Sequence, residues 1–590
     1  MSELIAGIDL GTTNSVLAVV QDGKVRVVNI HGQPIMPSAV GLDPAGKLIV
    51  GQAAKNQVIA SPDATILSIK RHMGEDLKVP LGDKQYSPEE ISALILREMK
   101  QEAERELGQP INKAVITVPA FFNERQRKAT QVAGQLAGLE VVRIINEPTA
   151  AALAYGAGKT ADETLLVYDL GGGTFDVSLV VVEDKVVEVK ASHGDTHLGG
   201  DDFDRLLVEH AASEFKKRHG EKAALGPLEL RRLQFIMERA KIRLSDEPFV
   251  AVREEYVDGK HHLEMEIRRD QYEEMITPLL EKTLTCMHQA LQDAKLGPQD
   301  IDKVMLVGGV TRTPLVQGLI QHRMGLEPRH EISPDLIVAM GAAIQASVLA
   351  GEAQHSILID ITPHTYSLVT LGSFSMFGPQ LLCTPIIHHN TPLPASKAEL
   401  FTTTVDNQEE VQIKVCQGEG MLPEQNTALG EFLVQGLRKV PSGNLVLVHF
   451  DLDLNGMLKV TATEKDTGLA KSVVLDTHGQ GVLNIEEARR NIATLISEPV
   501  PRPPDEIQPE ALSEPTPASA PEAQPQALLN TAKDLRKRGE ALLQKNISPE
   551  DAAEIREMIH ASAEAIKNRA WSQLEDNNEA LSDLLFYLED

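Results

Sequence analysis

A glycine-rich turn that follows an apolar run and an aspartate occurs twice in this chain. The first copy is GIDLGTTNS at 7–15, and the second is VYDLGGGTFD at 167–176. Each copy leads into a second apolar run, which ends at Val20 and at Val182 respectively. This pattern predicts a β-hairpin whose glycines let the turn approach a ligand closely. One copy alone is equally consistent with an ordinary hairpin turn, but two matched copies favour ligand binding.

The turn residues indicate that the ligand carries phosphate. Successive backbone N–H groups in such a turn form an anion-binding concavity, and threonine hydroxyls can donate further hydrogen bonds. Mg²⁺ would let the strand-end aspartates face phosphate, because it binds carboxylates, phosphate oxygens and water. We therefore expect two facing halves of a nucleotide clamp that hydrolyses ATP. Its candidate residues are Asp9, Gly11, Thr12, Thr13, Asn14, Asp169, Gly171, Gly172, Gly173 and Thr174.

A third glycine turn extends this set. The segment VMLVGGVTRTP at 304–314 runs from an apolar strand through Gly308 and Gly309 towards Arg312 and a periodic helix. A helix N-terminus after such a turn suits phosphates. Asp335 borders the same segment in the predicted site, although helix capping alone would also explain it.

Composition narrows the possible partners and compartment. The chain has 590 residues, with 57 basic and 85 acidic side chains and a net charge of −28, which disfavours nonspecific nucleic-acid binding. The three cysteines, Cys286, Cys383 and Cys416, are far apart and indicate a reducing compartment. The sequence has no signal-type N-terminus and no apolar run long enough to span a membrane. We expect a cytoplasmic protein without nucleic-acid or membrane partners.

The three glycine segments resemble the signature segments of the heat-shock protein 70 family, the DnaK-like chaperones. The resemblance continues through ITVPAFFN at 116–123, INEPTAAA at 145–152 and GDTHLGGDDFD at 194–204. It implies a multidomain fold with an actin-like, two-lobed α/β ATPase domain, an antiparallel β-sandwich for peptide binding and a helical C-terminal bundle. It also implies an ATP-dependent chaperone that uses ATP/ADP and Mg²⁺, with K⁺ as a further candidate ion.

The pattern changes several times along the chain. Alternating strand-like and helix-like segments give way to an apolar linker, then to short alternating strands with an Asn455-Gly456 hairpin signal, and finally to helices separated by a proline-rich, acidic tether. The linker is either an ordinary edge strand or, as the resemblance implies, a segment that docks on the ATPase domain when ATP is bound. The predicted boundaries are 1–353 for the ATPase domain, 354–362 for the linker, 363–477 for the sandwich, 478–497 for a helix, 498–526 for the tether and 527–590 for a lid-like bundle.

The resemblance implies catalytic roles for Asp9, Lys70, Glu147, Asp169 and Thr174. Lys70 matches the family's catalytic lysine, which is expected to hold the attacking water and a γ-phosphate oxygen. The acids are expected to hold hydrated Mg²⁺ and to orient water, with Asp9 and Asp169 acting on the metal through water. A lysine beside an arginine is usually solvated, so only the resemblance selects Lys70.

Adenine binding maps onto a predicted helix. Glu238, Lys241 and Ser245 share one helical face by their spacing. An ion pair between Glu238 and Lys241 is the alternative explanation. Gly199 and Gly200, in the matched segment at 194–204, complete the predicted nucleotide-binding residues.

The resemblance also places a peptide groove in the sandwich. An extended hydrophobic polypeptide would bind there through its backbone and one aliphatic side chain. Leu371 and Thr404 are expected to form an arch over it, and core packing is the alternative for each apolar residue. The groove residues are Leu368, Leu371, Phe401, Thr404, Val411 and Ile413.

Interdomain coupling is assigned by the same resemblance to Pro119, Arg127, Arg143 and Asp360. Arg143 and Asn146 match positions at which relatives meet a J-domain co-chaperone. The segments 71–92 and 245–267 are short for the family, and the second carries exchange-factor contacts in relatives. The sequence thus predicts a compact, bacterial-type paralogue, with its nucleotide exchange factor left uncertain.

Two other functions remain open from the sequence. A sugar kinase or another actin-like ATPase would share the cleft but lack the sandwich that 363–477 predicts. A module that binds ATP without hydrolysing it would not require the full set of catalytic residues. ATPase rates with and without a hydrophobic peptide and a J-domain protein would separate these alternatives.

Overall fold

The computed structural model describes most of the chain. The described residues are 4–157, 162–220, 223, 225–329, 332–351, 357–375, 378–474, 484–496, 532–533, 535–538, 543, 549–567, 574, 577–578 and 581. The chain divides into two compact units, Met1–Val500 and Pro501–Asp590. The start of the predicted linker, the end of the predicted sandwich, the tether at 498–526 and much of the bundle lie outside the described residues.

The first part of the chain alternates strands and helices. Its strands are β1 (Ile5–Leu10), β2 (Asn14–Gln21), β3 (Lys24–Val28), β4 (Met36–Pro37), β5 (Val40–Leu42), β6 (Leu48–Val50), β7 (Thr65–Ile66), β8 (Val79–Leu81), β9 (Lys84–Tyr86), β10 (Lys113–Val118), β11 (Glu140–Asn146), β12 (Glu163–Leu170), β13 (Phe175–Glu183), β14 (Val186–Asp195), β15 (Phe249–Glu254), β16 (Leu263–Arg268), β17 (Lys303–Val307) and β18 (Ile357–Ile359). Its helices are α1 (Gln52–Gln57), α2 (Pro88–Leu107), α3 (Glu124–Leu136), α4 (Glu147–Gly156), α5 (Gly200–His219), α6 (Pro227–Leu244), α7 (Arg269–Ala294), α8 (Pro314–Met324) and α9 (Ile337–Leu349). The fold is mixed α/β, as predicted.

Two sheets in this part repeat one strand arrangement. The first has the order β11-β10-β1-β2-β3, and the second has the order β17-β12-β13-β14-β18. In each sheet an antiparallel hairpin, β1–β2 or β12–β13, is flanked by a parallel strand, β10 or β17. The matched sequence segments are therefore equivalent structural elements.

Helices α4 and α9 pack between the two sheets. One apolar cluster contains residues of β10, β11, α4, β12–β14 and α9. A Cβ atom on Gly341 would lie 1.7 Å from the Ala150 carbonyl oxygen, and one on Gly7 would lie 2.0 Å from the Ala343 nitrogen. Only glycine permits these backbone approaches, which bring the two hairpin turns to the same cleft.

Two antiparallel sheets follow β18. Their strands are β19 (Tyr366–Ser375), β20 (Gly378–Ile387), β21 (Ala395–Thr402), β22 (Glu410–Gln417), β23 (Thr427–Gln435), β24 (Leu445–Leu452), β25 (Leu458–Glu464) and β26 (Ala470–Val474). The orders are β20-β19-β22-β23 and β21-β24-β25-β26, and one apolar cluster includes residues of both sheets. The Asn455-Gly456 turn joins β24 and β25, with Gly456 at φ 78°.

The next helix, α10 (Ile485–Ile496), begins after Asn484, whose side chain accepts hydrogen bonds from the backbone N–H groups of Glu486 and Glu487. Ala488 and Ile492 join the apolar cluster of the first sheet. In the second unit, α11 (Pro549–Lys567) begins with a proline, a residue favoured at the first helical position. A small apolar cluster there contains Leu535, Ile555 and Leu581.

Candidate active site

The three glycine turns meet at one cleft of about 570 Å³. A Cβ atom on Gly172 would lie 1.9 Å from the Thr13 hydroxyl oxygen, so the first two turns touch. Gly308, at φ 82°, packs on the end of β12, where a Cβ atom would lie 2.4 Å from the Leu170 carbonyl oxygen. The predicted residues that line the cleft are Asp9, Gly11, Thr12, Thr13, Asn14, Lys70, Glu147, Asp169, Gly171, Gly172, Thr174, Glu238, Lys241, Ser245, Gly308, Gly309, Arg312 and Asp335.

The other three predicted glycines support the walls of this cleft. A Cβ atom on Gly199 would lie 2.5 Å from the Gly172 carbonyl oxygen, and one on Gly173 would lie 2.7 Å from the Thr12 methyl carbon. The backbone N–H of Gly200 donates to the Gly171 carbonyl at 3.0 Å. These glycines fix the turns against each other and begin helix α5.

Buried acids concentrate at the base of the cleft. Lys70 Nζ donates to Glu147 Oε1 at 2.5 Å, and both residues are buried. Asp9 Oδ1 accepts a hydrogen bond from the Thr117 hydroxyl at 3.0 Å. Lys70 lies in a short 3₁₀ turn that begins after Ser68, a non-glycine residue at φ 53°. The solvated position that sequence alone favoured for Lys70 is therefore wrong.

Burial raises the pKa of these carboxyl groups. The pKa of Asp9 rises to about 7, chiefly through burial and then through the negative charge of Glu147, with Lys70 opposing. The pKa of Asp169 is raised well above its usual range by burial and by the charges of Glu147, Asp176 and Asp9. The pKa of Asp176 behind them also rises to about 7. Such a group of acids favours protons or a cation.

The opposite wall of the cleft carries paired charges. Glu238 forms an ion pair with Lys55 at 2.8 Å, and Lys241 forms one with Asp204 at 2.8 Å. Glu238 and Lys241 therefore do not pair with each other, and that alternative is wrong. Arg312 binds Asp335 at 2.7 Å. The Asp335 side chain has this partner and makes no capping bond to α9.

Several lining residues were not predicted. They include Asp201, Asp204, Val310, Thr313 and Gln317. Asp201 and Asp204 belong to the matched segment at 194–204, and Asp204 lies one helical turn after Gly200 in α5. Their spacing from Gly200 could have identified these two aspartates from the sequence. Gln317 could not have been identified in this way, because it lies inside α8, where periodicity indicates only a helix.

The predicted groove residues differ in exposure. Leu368 and Ile413 are buried in the core between the two sheets of the sandwich, and Phe401 and Val411 pack at its margin. The two arch residues lie at the surface: Leu371 is 53% exposed and Thr404 is exposed. Core packing thus accounts for two of the groove residues, and the peptide groove stays a prediction.

The coupling residues converge on one buried carboxylate. Asn146 Nδ2 donates to both carboxylate oxygens of Asp360, at 3.0 and 3.1 Å. Arg127 Nη2 donates to Asn146 Oδ1 at 2.6 Å and to the Ala120 carbonyl at 3.0 Å. Pro119 is buried just before this segment. Arg143 is partly buried. Burial lowers its pKa, and the negative charge of Asp360 partly opposes that shift.

The sandwich contacts helix α3 and strand β11 of the first large sheet through hydrogen bonds. The backbone N–H of Glu124 donates to Gln417 Oε1 at 3.1 Å, and that of Ile144 donates to Asn455 Oδ1 at 3.1 Å. Strand β18 pairs in parallel with β14, and Ile357 within it stays 62% exposed. The segment is therefore an edge strand of the second large sheet, and its docking in response to ATP stays a prediction.

The cleft has the chemistry of a site for a phosphorylated ligand with a hard cation. Asp9, Glu147 and Asp169 offer oxygen ligands of the kind that Mg²⁺ takes, and glycine turns with threonine hydroxyls surround them. The model of the Hsp70 protein family matches residues 5–81 and 75–587, and the chain belongs to this family. Its members are ATP-dependent chaperones that bind ATP or ADP with Mg²⁺ and bind unfolded polypeptides.

No helix in the described part of the chain is long and apolar enough to cross a membrane.

Proposed function

We propose that this chain hydrolyses ATP and uses the nucleotide state to control its binding of extended hydrophobic polypeptides. The observation that carries the proposal is the group of three carboxylates around buried Lys70 where two equivalent hairpin turns meet: Glu147, which binds Lys70, and Asp169 are buried, and Asp9 is partly buried. Phosphoryl transfer needs positioning and charge neutralisation more than covalent chemistry. The cluster and the glycine turns suit that need, whereas a module that only binds ATP would not require it.

We propose catalytic roles for the residues at these positions. Asp9 and Asp169 would hold Mg²⁺ through its water ligands, and the ion would neutralise phosphate charge when bound. Lys70 would orient the attacking water and the γ-phosphate, with Glu147 fixing the ammonium group. The Thr174 hydroxyl would donate to the γ-phosphate. The wall with Glu238, Lys241 and Ser245 would hold the adenosine, and K⁺ is a further candidate ion for the phosphates.

We propose the domain boundaries that the sequence predicts. The repeated strand order of the two large sheets supports an actin-like ATPase domain over 1–353, with a linker at 354–362. The two four-stranded sheets support a peptide-binding sandwich over 363–477. A helix at 478–497, a tether at 498–526 and a lid-like bundle at 527–590 complete the proposal. A sugar kinase is disfavoured because it would lack the sandwich.

The peptide groove would run beside Leu371 and Thr404, over Phe401 and Val411. Exposed Leu371 pairs across the sheet with Leu381, which is 46% exposed, so this edge offers apolar surface to an extended chain. The Asp360 network would transmit the nucleotide state through Arg127 and the segment of Pro119. A J-domain co-chaperone is the proposed partner near Arg143.

The test combines hydrolysis with peptide release. Single-turnover ATP hydrolysis is measured with and without a hydrophobic heptapeptide and a J-domain protein. Dissociation of the labelled peptide is followed in ADP and after addition of ATP. The proposal expects peptide and J-domain protein to stimulate hydrolysis, and ATP to speed release. Hydrolysis insensitive to both, with release unaffected by ATP, would refute it.

A further inference from the structure

Two of the three cysteines meet in the sandwich. Cys383 lies on β20 and Cys416 on β22, the two strands that flank β19. Cys383 is paired with Val369 and Cys416 with Ser367, so their partners on β19 lie two residues apart and share a face. The two Sγ atoms lie 2.8 Å apart, and both thiols are free.

The two thiols have different surroundings. Cys383 is partly exposed, and its sulfur accepts a hydrogen bond from Asn426 Nδ2 at 3.3 Å. Asn426 is itself held by the carbonyl groups of Gly420 and Leu422. Cys416 is 3% exposed, and burial, with the neighbouring Cys383 thiol, raises its pKa. Because Cys383 is partly exposed and Cys416 is buried, a dissolved oxidant reaches the Cys383 sulfur first.

We propose that Cys383 and Cys416 form a reversible disulfide, made by a peroxide and broken by a dithiol reductant, that controls peptide release from the sandwich. The Cys383 thiolate attacks one peroxide oxygen, so that an S–O bond forms and the O–O bond breaks. The hydroxide released takes up a proton as water and leaves a sulfenic acid. The Cys416 sulfur then attacks the Cys383 sulfur, the S–S bond forms, and the S–O bond breaks. The second hydroxide leaves with the Cys416 proton as water. The two cysteines lose two electrons, and the peroxide gains them.

The cysteine pair lies close to the predicted peptide groove and to the contact between the sandwich and helix α3. Leu371, the predicted arch residue, lies two residues beyond Val369 on the same strand, which is about 7 Å away. Gln417, next to Cys416, accepts from the Glu124 backbone N–H and donates to the Tyr366 hydroxyl at 3.1 Å each. The two sulfur atoms are 2.8 Å apart in the same arrangement in which Gln417 binds Glu124. A bond between them would hold β20 and β22 in the spacing of the docked sandwich.

This regulatory role rests on the proposed function, whereas formation of the disulfide does not. If docking accompanies fast peptide exchange, the oxidised chain should release peptide faster in ADP than the reduced chain. Oxidation should therefore narrow the difference between the release rates in ADP and ATP. A dithiol reductant should restore the difference.

The experiment uses the full chain treated with hydrogen peroxide under denaturant-free conditions. Thiol counting should fall from three to one, and peptide mapping should find one bond, Cys383 to Cys416, in a monomer. Cys286→Ser is the matched control because Cys286 is also partly buried but lies on α7. It should lose two thiols like the parent, whereas Cys383→Ser and Cys383→Ala should form no such bond.

Each result decides one part. Oxidation of Cys383 to sulfinic acid, a bond that involves Cys286, or only intermolecular bonds would overturn the disulfide. A mapped bond with unchanged peptide release would overturn its regulatory role. A chain that binds no peptide in either redox state would refute the proposed function, while the thiol count and the mapped bond would still decide the disulfide.

Discussion

The nucleotide cleft and the contact around Asp360, where the linker meets Asn146 and Thr149, both contain buried carboxylates. The partners of these carboxylates differ between the two places. In the cleft, Asp9, Glu147 and Asp169 lie around Lys70, and mutual repulsion adds to burial in raising the pKa of both aspartates. At the contact, Asp360 accepts hydrogen bonds from Asn146, Thr149 and its neighbour's backbone N–H. The pKa of Asp360 is also raised by burial, although those bonds and Arg127 oppose the shift.

The difference separates a site that requires a ligand from a contact that is complete without one. Excess buried negative charge is costly until a proton or a cation neutralises it. A carboxylate that already has donors needs no added ion, and it stabilises the arrangement of the segments that supply them. The cleft should therefore respond mainly to nucleotide and metal, and the contact mainly to the relative position of its segments.

The largest expected effect is the loss of hydrolysis in Lys70→Ala. Removing this charge leaves the acids of the cleft facing the phosphates, so hydrolysis should slow by about 10²–10³-fold while nucleotide stays bound. Rapid-quench single turnovers and nucleotide titration measure both quantities. Lys47→Ala, at an exposed lysine, is the control. Parental hydrolysis in Lys70→Ala would remove Lys70 from the catalytic residues.

The next effect concerns the contact. Asp360→Ala removes the acceptor of Asn146 and Thr149, and hydrogen bonds to a charged group contribute about 1.5–3 kcal/mol each. The docking equilibrium should shift by about tenfold or more, so ATP should no longer speed peptide release, while basal hydrolysis persists. Stopped-flow release after ATP addition tests this, with exposed Asp466→Ala as the control. Normal ATP-driven release would show that Asp360 acts locally.

The stability of the protein should depend on pH because of the excess negative charge in the cleft. The folded-state pKa of Asp9 is raised from 3.8 to about 7. Its contribution to stability is therefore complete below about pH 3.8 and is lost as the pH rises through about 7. Without divalent cations, the free energy of unfolding should fall across this window by at most about 1.4 kcal/mol per pH unit for such a group, and the melting temperature should fall with it.

Two changes should flatten that slope, namely Mg²⁺ with ADP and Asp9→Asn. Calorimetric melting curves at a series of pH values measure the effect. Asp22→Asn, at an exposed aspartate, should keep the parental slope. An equal slope in Asp9→Asn and the parent would mean that other groups carry the linkage.

The smallest expected effect concerns His389, where the sandwich lies near helix α7. His389 binds Glu419 at 3.2 Å and lies 3.7 Å from Asp293 of α7. Its pKa is raised by the Glu419 hydrogen bond, with burial opposing and both negative charges supporting. His193 on β14 also faces this group. Docking support from His389 should be present at low pH and lost as the pH rises through the raised value.

His389→Gln should remove this pH dependence, with an effect of about 0.2–1 kcal/mol because the pair is partly exposed. ATP-driven peptide release between about pH 6 and 8 measures it. His449→Gln is the control because His449 also contacts an acid, Asp451, at 3.3 Å but lies on β24. If His389→Gln retains the parental pH profile, the contact is insensitive to this histidine.

Short-range features of the sequence account for many element boundaries. Ser87 and Glu90 form the capping box that begins α2, with Pro88 at the first helical position, and Asn484 caps α10. The Asn455-Gly456 turn was predicted because glycine tolerates positive φ there. Such features depend on a few adjacent residues, so the sequence alone determines them. The glycine turns belong to this group, since their spacing and residue types predict the two hairpins, β1–β2 and β12–β13, that the structure contains.

Only the tertiary structure decided which side chains meet across the chain. Lys70 is buried against Glu147, 77 positions away, and Glu238 pairs with Lys55 rather than Lys241. The contact of Cys383 with Cys416 depends on two strands lying on either side of β19. Local periodicity carries no information on these pairings, because they arise when separate sheets and helices pack. Burial then fixes the charge state of each acid, which the sequence alone cannot determine.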